Sequence, residues 1–290
     1  MTPVQAPGIR SSPPRRGAFA RPASLRIDDD EIDQRSLRKV RMMGAIEPTP
    51  LSGRRVPGRL DRALIRLLMK PATIVASEEV AKGFRLVTME GPALQGVAWT
   101  PGQKVQIAMG SAFVTRTYTP IEWNPVAGRA CILGVTDGGG PGSRWLSDVA
   151  PGDRCDVFGP RTSLSLDPMP GPLVICGDET SLGLAYAAVY HLAGWDVSIL
   201  LEVADPERAQ QVAAALGLRH ISLVARRADD SHLPAIADML LDQAGRGASF
   251  ALTGRAQAIQ ALRRSLKARQ VPAARIATKA YWAPGKTGLD

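Results

Sequence analysis

The residues predict two folds in tandem: a small antiparallel β-barrel followed by a doubly wound, parallel α/β sheet. Three observations lead there. From Ala72 to about Leu166, short apolar-alternating runs are broken by Gly91-Pro92, Pro101-Gly102, Asn124-Pro125 and Pro151-Gly152. Beyond Pro172 the rhythm changes to strand-like runs alternating with helical ones. The first 58 residues follow neither pattern. Short strands with such punctuation suit a closed antiparallel sheet. A β-α repeat buries both faces of its sheet and makes the strands parallel.

In chain order, residues 1–58 are rich in Pro, Arg, Ser and Asp and poor in large apolar side chains, which predicts a mostly disordered leader. Next, Leu60, Leu64, Leu67 and Leu68 share one helical face, with Arg59, Arg62, Arg66 and Lys70 elsewhere. That short helix either docks on the first domain or, being basic and amphipathic, makes weak contact with an anionic membrane surface. Barrel strands are expected at Thr73–Ala76, Phe84–Met89, Gln103–Met109, Thr115–Ile121, Ala130–Val135 and Asp153–Phe158. In the second half, strands are expected at Leu173–Cys176, Val197–Glu202, Ile221–Ala225, Phe250–Thr253 and Ile276–Ala280. The helices between them are Leu182–Ala193, Pro206–Leu216, Leu233–Ala244 and Ala256–Arg269. The predicted units are 1–58, 59–169 and 170–290.

The net charge of +9 over 290 residues is unevenly spread. Residues 1–70 hold 15 Lys/Arg against 7 Asp/Glu, and residues 71–290 hold 21 against 20. The body is therefore nearly neutral, which argues against a nucleic-acid groove there. No run of 18 apolar residues exists to cross a membrane. Arg15-Arg16 resembles the start of a twin-arginine export signal, but Pro22 to Asp33 is polar where such a signal is apolar, so a cytoplasmic location is expected. Cys131, Cys155 and Cys176 are too few and too far apart for an iron–sulfur cluster. His191, His220 and His232 lack metal-ligand spacing, so no metal site is expected. G-x-S-x-G and H-E-x-x-H are both missing, which leaves hydrolytic chemistry without support.

The chemistry-bearing residues fall in a definite order. Arg116, Tyr118 and Thr119 lie on one predicted strand; a guanidinium fork suits a phosphate, and a tyrosine ring suits packing against a planar cofactor. Gly140, Pro141, Gly142, Ser143, Arg144 and Trp145 follow, a stretch whose amides can approach an anion at a helix start. Asp178, Thr180 and Ser181 occupy the first βα turn of the second half. This turn is not a G-x-G-x-x-G, and its acids serve equally well as helix caps. Glu202 ends the second α/β strand, where it can bond a ribose, and Arg226 and Arg227 close the third, as phosphate partners or as a solvated edge. Tyr281 and Trp282 end the last strand, either against a flavin ring or as a buried aromatic closure. The order suits FAD in the barrel and NADPH or NADH in the α/β half.

Arg116-x-Tyr118-Thr119, the Gly-Pro-Gly-Ser-Arg-Trp stretch at 140–145, Gly152-Asp153, Gly159-Pro160-Arg161, Asp178-Glu179-Thr180 and the tail from Tyr281 to Lys286 together resemble the siderophore-interacting proteins. The resemblance covers about residues 70–290. It implies a flavin-dependent ferric-siderophore reductase of the ferredoxin-reductase superfamily. FAD would be held by Arg116, Tyr118, Thr119 and residues 140–145, and the pyridine nucleotide near Asp178, Thr180 and Gly254. Basic residues such as Arg255, Lys279 and Lys286 would attract an anionic ferric siderophore, whose reduction releases Fe(II). Two positions depart from the family pattern: Pro120-Ile121-Glu122 stands where a second arginine is frequent, and Gly254-Arg255 where Gly-Glu is common. A general NAD(P)H:flavin or quinone reductase on the same scaffold is one alternative. A redox-silent partner- or membrane-binding protein using the basic leader is the other.

Overall fold

The computed structural model describes residues 69–285, apart from 112, 113, 168 and 193. The expectations for the leader, for the helix over 59–68 and for Lys286 lie outside the described residues.

The first half is a sheet of seven antiparallel strands. These are β1 (Lys70–Ala81), β2 (Phe84–Glu90), β3 (Gln103–Ser111), β4 (Val114–Tyr118), β5 (Pro120–Asn124), β6 (Arg129–Val135) and β7 (Arg154–Thr162), with helix α1 (Pro141–Asp148) between β6 and β7. Their order is β4-β3-β7-β1-β2-β6-β5. The two ends of that order, β4 and β5, are consecutive in the chain and separated only by Thr119. The sheet therefore curls until one bent strand closes it, with Tyr118 opposite Val105 and Pro120 opposite Ile132. A single strand over Thr115–Ile121 was the expectation, and Pro120 is the reason for the break. A proline gives no ladder donor and holds the preceding residue extended, so the strand changes partner there. Ile74, Val87, Met89, Val105, Ile107, Ile132 and Val157 fill the interior.

Helix α1 begins as its residues require, with Gly140 as N-cap and Pro141 in the first turn, where a missing N–H costs nothing. It lies close on β6: a Cβ added at Gly134 would stand 2.3 Å from the Leu146 side chain.

The second half is a five-stranded parallel sheet. Its elements run β8 (Leu173–Gly177), α2 (Leu182–His191), β9 (Val197–Val203), α3 (Pro206–Ala215), β10 (Ile221–Ala225), α4 (Leu233–Gly245), β11 (Ser249–Arg255), α5 (Ala256–Ala268) and β12 (Ile276–Trp282). The strand order β10-β9-β8-β11-β12 places the switch of direction between β8 and β11. Alternate residues of β8 feed opposite cores: Leu173 and Ile175 pack with α2 and α3, and Val174 and Cys176 with α4 and α5. Burial pushes the Cys131 and Cys155 thiols up to about 12 and raises Cys176 as well, so all three behave as core residues.

The halves share one core. Phe84, Leu86, Ile121 and Cys131 of the barrel pack in the same cluster as Leu182, Leu184 and Val212. Helix α2 is buried from Leu182 to Ala188 because it has sheet on one side and barrel on the other. At Gly183 an added Cβ would come within 3.2 Å of Ile121 and 3.6 Å of the Thr119 carbonyl, so the missing side chain lets the strand corner approach. Polar contacts cross the same seam. Tyr186 donates to Glu122 at 2.8 Å, His191 Nε2 lies 3.0 Å from the Ile121 carbonyl and 3.3 Å from Glu122, and Arg208 pairs with Asp137. Glu122 thus serves the junction between the halves. Among the described residues no helix is long and apolar enough to cross a membrane.

Candidate functional site

Arg116 and Tyr118 are two apart on β4 and therefore share a face, which is turned to the start of α1. A Cβ at Gly142 would stand 2.8 Å from the Tyr118 hydroxyl and 3.1 Å from Arg116 Cγ, so only glycine lets the first turn of α1 lie so close. Trp145, one turn on, has its ring centroid 6.2 Å from that of Tyr118. Arg116 Nη1 donates to the Thr115 carbonyl at 2.7 Å, which braces the guanidinium beside its own strand. Burial raises the Tyr118 hydroxyl above its ordinary range, partly opposed by Arg116, so it stays a neutral donor and acceptor. No side chain caps α1, and the Cβ positions of Gly139 and Gly140 face open space. A braced guanidinium, an uncapped helix start and glycine backbone without cover form a cradle of the right chemistry for a pyrophosphate. The residues fit FAD.

From this cradle a line of contacts runs to the carboxyl edge of the α/β sheet. The Tyr281 hydroxyl faces Thr119, at the strand corner, and Thr253, near the end of β11; burial pushes it up to about 12, and those two side chains oppose the rise. Thr253 in turn donates to the buried Ser181 hydroxyl at 2.8 Å. Trp282 Nε1 donates to Asp178 at 2.7 Å. The last strand therefore ties the barrel corner to the first βα turn. Lys279 pairs in register with Thr253 on this edge strand and is half-buried.

Asp178 is fully buried and accepts from Thr180 N at 2.9 Å and Thr180 Oγ1 at 2.5 Å. It caps the 3₁₀ turn Glu179–Ser181 that leads into α2. Burial lifts its carboxyl to about 6, the Thr180 bond opposes this, Glu179 adds to it, and Trp282 opposes it again. Gly254 has φ +92°, and a Cβ there would be 2.6 Å from the Asp178 carboxyl, so the site demands glycine. Glu179 accepts from both terminal nitrogens of Arg226, each at 3.0 Å, and from Ala204 N at 2.5 Å. The Arg226 guanidinium lies 5.9 Å from the Trp282 ring centroid.

Two expectations are corrected by the packing. Glu202 does not face a ribose: it is 2% exposed and is gripped by Arg255, Nε to Oε1 at 2.8 Å and Nη2 to Oε2 at 2.9 Å, with His232 Nε2 at 2.5 Å. Arg255 is not on a rim: it is 8% exposed and also donates to Asp230 at 2.6 Å. Burial by itself would raise Glu202, yet the Arg255 and His232 bonds hold it below its ordinary value. The same bond to Glu202 raises Arg255. His232 stands 30 residues from Glu202 in the chain, and no spacing rule links the two; only the sheet order brings them together.

A cationic spot went unread in the residues. Lys104 and Arg161 face one another across β3 and β7, a position where like charges repel. Arg161 lies 4.3 Å over the Phe158 ring, donates to Gln106 at 2.5 Å, and keeps a buried Nε without a hydrogen-bond partner. Strand register was the signal that would have exposed this pair. The surface clefts on the α4 side of the α/β half, lined by Leu241 and Leu262 and by Met239 and Ser222, contain none of these residues.

The antiparallel barrel followed by a five-stranded parallel sheet is a fold this chain shares with solved reductase and siderophore-utilization structures. Residues 172–285 match the siderophore-interacting protein family, which bears out the resemblance carried by the motifs. The chain is similar to a siderophore utilization protein from T. fusca, at 24% identity and TM-score 0.61, over 77% of this chain and 95% of that one. It is similar to phthalate dioxygenase reductase, a structure for electron transfer from pyridine nucleotides to [2Fe-2S], at 14% identity and TM-score 0.60, over 75% and 70%. It also matches an intact type IV self-sufficient cytochrome P450 monooxygenase at 18% identity and TM-score 0.60, over 75% of this chain, and spans only 28% of that protein's length. At these identities the likeness is one of fold. No curated protein matches the chain.

Proposed function

We propose that this protein is an FAD-dependent, NAD(P)H-driven reductase of ferric-siderophore complexes that releases Fe(II) for iron uptake. The observation that carries the reading is the cradle of Arg116, Tyr118 and the uncapped start of α1, wedged together at Gly142, in a chain whose second half matches the siderophore-interacting family. When bound, FAD supplies the conversion of a two-electron hydride donor into single electrons for Fe(III). Arg116 neutralises the pyrophosphate, the amides at the start of α1 bond it, and Tyr118 packs against the ring system. Thr119, at the strand corner, presents polar atoms where the two halves meet. The carboxyl edge of the sheet receives the pyridine nucleotide, as such edges do in open α/β folds.

Hard oxygen ligands hold Fe(III) far better than Fe(II), so reduction loosens the metal without a protein acid or base acting on it. An anionic complex is drawn by positive charge at Lys279, on the edge strand of the sheet, and such focusing raises encounter rates.

Purified protein should carry flavin absorbance or gain it on incubation with FAD. Mixed anaerobically with NADPH or NADH in a stopped-flow cell, the flavin bands should bleach, then recover on addition of a ferric siderophore faster than with quinones. A protein that stays colourless in excess FAD ends the proposal. Equal recovery with every acceptor would favour the general reductase, a reading that the likeness to phthalate dioxygenase reductase supports.

A further inference from the structure

Resting on the nucleotide-donor reading, we infer that Glu179 is an internal counter-ion standing where a dinucleotide phosphate docks, and that Arg226 is the phosphate-recognising residue it holds in reserve.

The ligand crevice of an open α/β sheet lies beyond the carboxyl ends of the strands at the switch of strand order, here beside β8. Glu179 sits in the turn that leaves β8 and reaches across β9 to the end of β10. There its two oxygens meet both terminal nitrogens of Arg226 at 3.0 Å, while Ala204 N, just past β9, donates at 2.5 Å. A planar guanidinium fork plus a backbone amide at a strand end is a donor set for phosphate as much as for carboxylate. The Glu179 and Arg226 side chains are 12% and 21% exposed, so the pair is packed yet within reach of a ligand at the edge.

The capping of α2 does not need Glu179, because Asp178 already accepts from Thr180 N. Keeping a second carboxylate beside the fully buried Asp178 is electrostatically unfavourable, and Glu179 adds to the rise of the Asp178 carboxyl. Arg255, a further guanidinium near the switch, is spent on Glu202 and Asp230. Arg226 is thus a cation of this crevice that can change partner, and the crevice fits an anionic nucleotide once Glu179 yields it. Glu179 acts through Arg226 and is a positioning residue.

The test uses the full-length, FAD-loaded protein and ADP-ribose, which carries the pyrophosphate but cannot donate hydride. Its affinity is measured by titration calorimetry for the parent, Glu179→Gln, Arg226→Gln and the double variant. Glu179→Gln keeps an acceptor for Ala204 N and leaves the guanidinium uncompensated. It should tighten ADP-ribose about tenfold, the worth of one charge-assisted hydrogen bond, and the gain should shrink with added salt. Arg226→Gln should weaken binding about tenfold, and in that background the Glu179→Gln gain should vanish. A merely structural Glu179 predicts unchanged or weaker binding and a lower melting temperature; either affinity result overturns the inference while the nucleotide-donor reading stands. If none of the four proteins binds ADP-ribose, that reading fails, and the inference with it.

Discussion

Arg116 and Asp178 illustrate how one residue's surroundings turn a side chain into a function. Arg116 lies beside an uncapped helix start with its guanidinium braced by the Thr115 carbonyl. Arg116→Ala should lower FAD occupancy sharply, by about tenfold or more in affinity, read as the ratio of flavin to protein absorbance after gel filtration. Unchanged occupancy would displace the pyrophosphate from this corner. Asp178 tells a different story. Burial raises its carboxyl from 3.8 to about 6, so between those values the folded protein holds a proton that the unfolded chain has released. Stability contributed by the protonated form is therefore lost as the pH rises through that window, by a few kcal/mol at most. Asp178→Asn can still cap the 3₁₀ turn but cannot titrate. Melting temperatures measured from pH 4 to 7 should fall less steeply for the variant than for the parent; parallel curves would show that Asp178 is ionised throughout.

At the scale of elements, contacts made without side chains decide how pieces meet. Helix α1 reaches β4 only because Gly142 has no Cβ, and Gly183 plays the same part between α2 and the strand corner. Gly142→Val would press a branched side chain into the Tyr118 hydroxyl and Arg116 Cγ, moving α1 off its strand. FAD affinity should fall about tenfold, while global stability falls by only about 1–3 kcal/mol, the ordinary cost of overpacking. Fluorescence quenching on FAD titration and thermal melts separate the two effects; a large loss of stability with unaltered FAD binding would refute the wedge. The break between β4 and β5 belongs to this scale too. Alternation alone reads Thr115–Ile121 as one strand, but the missing N–H of Pro120 turns it into a hinge shared by two ladders.

Across the whole molecule, the two halves behave as one body because a single apolar cluster runs through both and Glu122 anchors the polar part of the seam. Glu122→Ala strips the buried Tyr186 hydroxyl of its acceptor, which costs about 1–3 kcal/mol. The described body should unfold in one calorimetric transition, with the variant melting several degrees lower. Two separated transitions in the parent would contradict a shared core. The same seam explains the carboxylate at 122: it suits Tyr186 and His191.

By itself the order of residues determined the architecture and marked the stretch proposed to cradle FAD, because both rest on local signals. Period-two alternation broken by Gly and Pro marks a barrel, the β-α repeat marks a parallel sheet, and Arg116, Tyr118 and Gly140 to Trp145 are near neighbours in the chain. The carboxyl edge of the sheet was legible as a place but not as a set of partners. Glu202 on β9, Asp230 and His232 between β10 and α4, and Arg255 at the end of β11 are far apart in the chain, and Glu179 finds Arg226 across 47 residues. Which carboxylate takes which guanidinium depends on strand order and on distances of a few ångströms, and only the tertiary structure decides those.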